Sequence, residues 1–128
     1  MEMPDQKTIL IVEDEVSLQE AFKLKFEKAG LRVLVAGSAE DALLILEKET
    51  PDLAALDILL PGMNGIELLK AIRTDGRWKD LKVVMVSVSS GPEKIKQAFD
   101  LHVVDFIIKS EHTLEDIVEK IKGFIENP

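Results

Sequence analysis

The chain has 128 residues, 46% of them hydrophobic, a net charge of −8 and no cysteine. That length suits one domain with a real core, and the missing thiols exclude disulfides and thiolate metal sites. Lysines lie scattered among acids rather than clustered, which argues against direct nucleic-acid binding and against docking on an anionic membrane.

No apolar stretch approaches the ~20 residues of a membrane-spanning helix. The N-terminal "MEMPDQK" has no basic region followed by an apolar run, so no signal peptide is expected. These features together make a cytoplasmic location the expectation.

Five apolar runs rich in Val, Ile and Leu cover residues 8–12, 31–36, 53–57, 81–88 and 103–108. They are more continuous than alternating, as in strands buried on both faces of a parallel sheet. Between the first two, Leu18, Phe22 and Phe26 recur every four residues beside Ala21 and Ala29, and Gly30 suits a helix C-cap. Ser38-Ala39-Glu40-Asp41 resembles a capping box opening a helix through Ala42, Leu43 and Leu46, which Pro51 stops. A third helix carries Ile66, Leu69 and Ile72 after Asn64-Gly65. A fourth has Pro92 in its first turn, with Ile95, Ala98 and Phe99 expected to face inward. The last, capped by Thr113, places Leu114, Ile117, Val118, Ile121, Phe124 and Ile125 on one amphipathic face. Strand then helix, five times over, predicts an α/β fold: a three-layer, doubly wound parallel sheet joined by right-handed crossovers.

Ligands of such sheets bind outside the carboxyl ends of the strands. The first run, "ILIV", ends in Glu13 and Asp14, the third in Asp57, the fourth holds Ser87 near its end, and the fifth is followed by Lys109. Like charges ~4 Å apart repel by roughly 1 kcal/mol in water and more in a cleft, so something must offset them. Oxygen donors without His or Cys favour a hard cation such as Mg²⁺. Glu13, Asp14 and Asp57 contribute −3 against +3 from Mg²⁺ and Lys109. Such a site suits Asp57 as a nucleophile toward phosphorus, with the metal, Lys109 and the Ser87 hydroxyl stabilising the phosphoryl oxygens.

Taken alone, an Asp at a strand end is more often a cap, a Ser is simply accommodated, and a Lys faces solvent. It is their joint placement at one sheet edge that carries the functional reading. Glu15 reads as an early helical acid placed by the helix dipole, and His112 as a polar loop residue.

These residues resemble the receiver domain of bacterial two-component response regulators. The resemblance covers residues 7–125, nearly all of a single domain spanning 1–128, in "ILIVEDE", "LDILLPGMNGIELL", "VVMVS" and "VDFIIK". It implies the flavodoxin-like (βα)5 fold with strand order 2-1-3-4-5. It implies that Asp57 accepts a phosphoryl group from a phosphohistidine on a sensor histidine kinase or phosphotransfer domain. Asp14 and Asp57 would bind Mg²⁺ directly, Glu13 through water, and the Leu59 carbonyl would complete the protein ligands. Ser87 and Lys109 would contact the phosphoryl group. Phe106 would be the switch aromatic, turning inward as Ser87 moves, and the face of the fourth helix, fifth strand and fifth helix would report the state to an effector or to a second copy in a phosphorylation-dependent homodimer. Such a domain is a signalling module rather than a conventional enzyme.

Several positions depart from the family pattern. Ser110 replaces the usual proline after the lysine, so the Lys109–Ser110 bond is either trans with a rearranged loop or cis at ~2.5–4 kcal/mol. Val88 replaces a small residue beside Ser87. His102 stands where Gly is common, and Phe106 lacks a hydroxyl. Leu59 and Ser89 occupy positions where the family tunes phosphoryl lifetime; an apolar Leu59 cannot orient a water, so slow self-dephosphorylation is expected, and a half-life of seconds would contradict it.

Three other readings share parts of this pattern. A degenerate receiver would keep the fold as a non-switching interaction module; Ser110, Val88 and His102 motivate it, and the intact Asp14, Asp57, Ser87 and Lys109 oppose it. A flavin mononucleotide carrier needs a phosphate loop after the first strand, where "EDEVS" stands instead. A Mg²⁺-dependent phosphohydrolase with an Asp nucleophile commonly needs an acid/base Asp two residues on, where Leu59 stands.

Overall fold

Parallel strands β1 (Thr8–Val12), β2 (Arg32–Ala36), β3 (Leu53–Leu56), β4 (Lys82–Ser87) and β5 (Asp105–Ile108) form one sheet in the order β2-β1-β3-β4-β5. The computed structural model describes residues 6–88 and 91–127. Helices α1 (Val16–Lys28), α2 (Ala39–Lys48), α3 (Gly65–Thr74), α4 (Pro92–Asp100) and α5 (Leu114–Glu126) alternate with the strands. This is the doubly wound, three-layer flavodoxin-like architecture that the sequence predicts.

The alternation of side chains along each strand divides the core in two. Leu10, Val12, Ala54, Leu56, Val83 and Met85 pack under α2, α3 and α4. Their neighbours Ile9, Ile11, Leu53, Ala55, Val84 and Val86 pack under α1 and α5 against Phe22, Phe26, Ile117 and Ile121. Burying each large aliphatic side chain contributes roughly 1.5–3 kcal/mol. This explains why the runs are continuously apolar: both faces of the strands are covered.

The helix ends follow local chemistry. The Ser38 hydroxyl accepts from the Asp41 N–H at 3.0 Å, and Thr113 from the Asp116 N–H at 3.1 Å. The reciprocal capping box is at α3, where Asn64 and Glu67 bond each other's backbone N–H groups at 2.9 and 3.0 Å. Helix α1 ends on Gly30 at φ +92°, with the Leu31 N–H returning to the Phe26 carbonyl. Helix α4 ends the same way on His102 at φ +61°, with the Val103 N–H returning to the Ala98 carbonyl. So the backbone at His102 is left-handed, a conformation glycine adopts at less cost.

One expectation for α4 is corrected. Ala98 is fully buried and Ile95 partly so, but Phe99 is 46% exposed. A nine-residue helix with one wholly buried position presents a narrower inner face than the apolar spacing suggests. The Lys109–Ser110 peptide is trans, as is every peptide bond among the described residues, and Lys109–Glu111 form a 3-10 turn.

Candidate functional site

Strand register places the site. Val12 of β1 lies level with Leu56 of β3 and Ala36 of β2, and Ser87 of β4 lies level with Ile108 of β5. The residues that follow, Glu13, Asp57 and Lys109, therefore emerge together at the carboxyl edge. Backbone bonds extend the ladder past the strand ends: the Glu13 N–H donates to Ala36 at 3.0 Å and the Asp57 N–H to Val12 at 3.1 Å.

Lys109 Nζ donates to Glu13 Oε1 at 2.5 Å and to Asp57 Oδ2 at 3.0 Å. These side chains are 13%, 5% and 8% exposed, so the three charges sit in a recess. Beneath it lies a small cavity lined by Ile11, Phe22, Phe26, Val86 and Ile121, an apolar floor that keeps the local dielectric low. Burial pushes the Glu13 carboxyl above the ordinary glutamate range, more than its hydrogen bonds from Lys109 and the Glu15 N–H pull it down. Burial also pulls the Lys109 ammonium down, but the bonds to Glu13 and Asp57 outweigh it and hold that ammonium above the ordinary lysine value.

Glu13, Asp14 and Asp57 each offer an oxygen within 4.8 Å of the others. Asp14 is exposed while the other two are buried, so the cluster opens to solvent on one side. An all-oxygen set with one open side fits Mg²⁺, which retains waters and takes one or two carboxylates. Lys109 offsets part of the negative charge, and among the described residues its ammonium bonds Glu13 and Asp57 but not Asp14.

Ser87 is 0% exposed, and among the described residues its Oγ is the buried side-chain polar atom without a hydrogen-bond partner. Leaving a buried hydroxyl unsatisfied costs about 1–3 kcal/mol, so this one invites a role. It stands at the end of β4, one register step from Lys109.

The surroundings of the site divide into residues that were and were not foreseen. Leu59 donates its N–H to Asp57 Oδ1 at 3.2 Å, and its side chain is 50% exposed. Val88 is 55% exposed beside Ser87. Phe106 is partly buried against the core beneath α4, and Ser89 lies outside the described residues. Glu15 is exposed and its carboxylate is not one of the three that cluster, while its N–H donates to Glu13 Oε2 at 3.1 Å. Two supports were not anticipated. The Gln19 amide from α1 donates to the Glu13 carbonyl, fixing the turn that carries both acids. Gly65 lets the first turn of α3 rest on the Asp57 peptide: a Cβ there would lie 2.0 Å from the Asp57 carbonyl oxygen. A glycine opening a helix was the available signal for the second; a lone Gln on a helix gave none for the first.

Among the described residues no helix is long and apolar enough to cross a membrane. A family model described as the response regulator receiver domain matches residues 9–122. The chain is 30% identical over 119 residues to the phosphate regulon transcriptional regulatory protein PhoB of Pseudomonas aeruginosa, covering 93% of this chain and 52% of that protein. It is 35% identical over 115 residues to the Regulator of RpoS of Escherichia coli, covering 90% of this chain and 34% of that protein. The chain thus spans about half or less of the length of these relatives. Among solved structures, a CheY-like response regulator receiver domain protein from Methanospirillum hungatei aligns with a TM-score of 0.87 at 30% identity, over 95% of both chains. Five-stranded order, acidic strand ends, the family match and these relatives agree: the chain belongs to the receiver domain family of two-component response regulators.

Proposed function

We propose that this chain is a working phosphoacceptor receiver, a single signalling unit rather than a conventional enzyme. In this reading an Asp57 carboxylate oxygen attacks the phosphorus of a phosphohistidine on a sensor kinase or phosphotransfer domain. The P–N bond breaks, an acyl phosphate forms on Asp57, and the departing imidazole takes up a proton. Asp14, Asp57 and the Leu59 carbonyl would hold Mg²⁺, with Glu13 acting through water. When bound, Mg²⁺ neutralises charge on the phosphoryl oxygens.

The observation that carries the proposal is Ser87: a buried hydroxyl without a hydrogen-bond partner among the described residues, at the strand end next to a largely covered lysine that already reaches Asp57. A phosphoryl group on Asp57 gives that hydroxyl an acceptor and Lys109 a stronger one. Drawing Ser87 toward the phosphate frees space for Phe106 to turn inward, which would alter the face of α4, β5 and α5. Phe99 and Val104, 46% and 38% exposed, leave apolar surface on or beside that face. This supports it as the contact for an effector or a second copy. The apolar, half-exposed Leu59 offers no hydrogen bond to an attacking water, which supports slow hydrolysis. The reading places the protein in the cytoplasm with its kinase partner.

Beryllofluoride, a phosphoryl mimic, tests this directly. Followed by fluorine NMR, it should bind one-to-one only with Mg²⁺ present, and not to Asp57→Asn. Mg²⁺ binding without any bound beryllofluoride would favour the degenerate, non-switching module, for which the large, 55% exposed Val88 following Ser87 is a motivating observation.

A further inference from the structure

Arg73 stands in the last turn of α3, where a cation is ordinarily explained by the helix dipole. Its contacts go further. Nε donates to the Leu101 carbonyl at 2.7 Å and Nη2 to the His102 carbonyl at 3.2 Å. Nη1 reaches the carbonyls of Leu81 at 2.7 Å, Lys79 at 3.1 Å and Trp78 at 3.4 Å. One guanidinium thus ties the end of α4 to the segment between α3 and β4. The planar fork of arginine can serve several acceptors at once, which lysine cannot match.

The end it holds is also the strained one. His102 sits at φ +61° in the position that Gly30 fills at the end of α1. A left-handed non-glycine residue persists where its surroundings over-determine it. The rest of α4 is held lightly. Only Ala98 of the helix is fully buried, whereas α3 buries five residues. Its N-cap, Gly91, has no side chain with which to cap the first turn. So, among the described residues, α4 is tied down at its C-terminal end, while Glu93 and Lys94 at the end nearer Ser87 are exposed.

We propose that Arg73 is the anchor of a hinge: α4 pivots about residues 101–102, and displacement originating at Ser87 is taken up at the N-terminal end of the helix. The anchor stands on the geometry alone; the coupling to Ser87 rests on the phosphoacceptor reading.

Residue-resolved amide hydrogen exchange tests the anchor without any ligand. Arg73→Ala should accelerate exchange at Leu101, His102, Val103 and Val104 by about tenfold or more, the factor expected for losing one or two hydrogen bonds. Amides of Ile11 and Ala55 should change far less. Arg73→Lys keeps the charge and loses the fork, and should fall between; it also serves if the alanine variant folds poorly. Acceleration that is uniform across the sheet would overturn the anchor, showing Arg73 to support the whole fold instead. A second arm adds Mg²⁺ and beryllofluoride to the wild type and maps amide chemical shifts. The hinge requires large changes at Glu93, Lys94 and Ile95 that fade before Leu101, and in Arg73→Ala changes that run on to Val104. Equal changes at both ends of α4 in the wild type would overturn the pivot. Absence of changes even around Asp57 would count against the phosphoacceptor reading, and the exchange arm alone would then decide the anchor.

Discussion

Gly65 and Asp57 share one space: the missing side chain of the glycine is what lets α3 start directly against the aspartate's carbonyl, 2.0 Å from where a Cβ would stand. The Gly65 N–H donates to the Ile58 carbonyl at 2.9 Å, locking the turn after Asp57. Gly65→Ala must push either the helix or the Asp57 peptide. We expect a loss of about 1–3 kcal/mol in urea denaturation, the usual cost of overpacking. Phosphoryl acceptance should fall with it. Wild-type stability in that variant would show the helix start to be more yielding than its packing indicates.

His102 offers the opposite case. With φ at +61° it occupies the place that Gly30 takes in α1. His102→Gly should stabilise the protein by about 1 kcal/mol, the left-handed penalty less the added freedom of the unfolded chain. Gly30→Ala should destabilise it by a similar amount. Denaturation midpoints of the two variants check both signs.

Ser87→Ala separates stability from function. Removing a buried hydroxyl that has no partner among the described residues should leave the metal-free protein as stable or more stable, by up to about 1 kcal/mol. The same change should weaken binding of beryllofluoride, because one donor to it is lost. A clear loss of metal-free stability would mean that the hydroxyl is satisfied in solution.

Mg²⁺ affinity should depend on pH through Glu13. Burial raises its pKa above the ordinary 4.5, so protons compete with the metal at less acidic pH than for a free glutamate. Without metal, a raised pKa means that the group's contribution to stability is present below pH 4.5 and is lost as pH rises through the raised value. Mg²⁺ offsets that loss. Calorimetric titrations should therefore show Kd rising as pH falls from about 7 toward 5. Proton release should accompany binding, and Glu13→Gln should flatten the dependence. A flat profile in the wild type would remove Glu13 from the metal's surroundings.

Much of this molecule is legible in the linear chain because its strands are buried on both faces. Ile9, Leu53 and Val84 could be apolar for one reason only, so the sheet and its acidic edge emerge from pattern alone. Glu13, Asp57, Ser87 and Lys109 were legible by position, each at or next to a strand end. Phe99 was misread because spacing marks a helix face without saying how deeply the helix sits, and α4 sits shallowly. Arg73 was invisible for a different reason. Its acceptors are backbone carbonyls, which have no letter in a sequence, and two of them lie 28 and 29 residues away. Gln19 escaped for the same reason, since its acceptor is the Glu13 carbonyl.

The most direct test of the central claim is the intact mass of the protein after incubation with acetyl phosphate, with and without Mg²⁺, beside Asp57→Asn. We expect the wild type to gain one phosphoryl group only when Mg²⁺ is present, and the variant to gain none. An unmodified wild type that also fails to bind Mg²⁺, or a gain that survives in Asp57→Asn, would contradict the assignment of the acidic edge as a phosphoryl-accepting metal site.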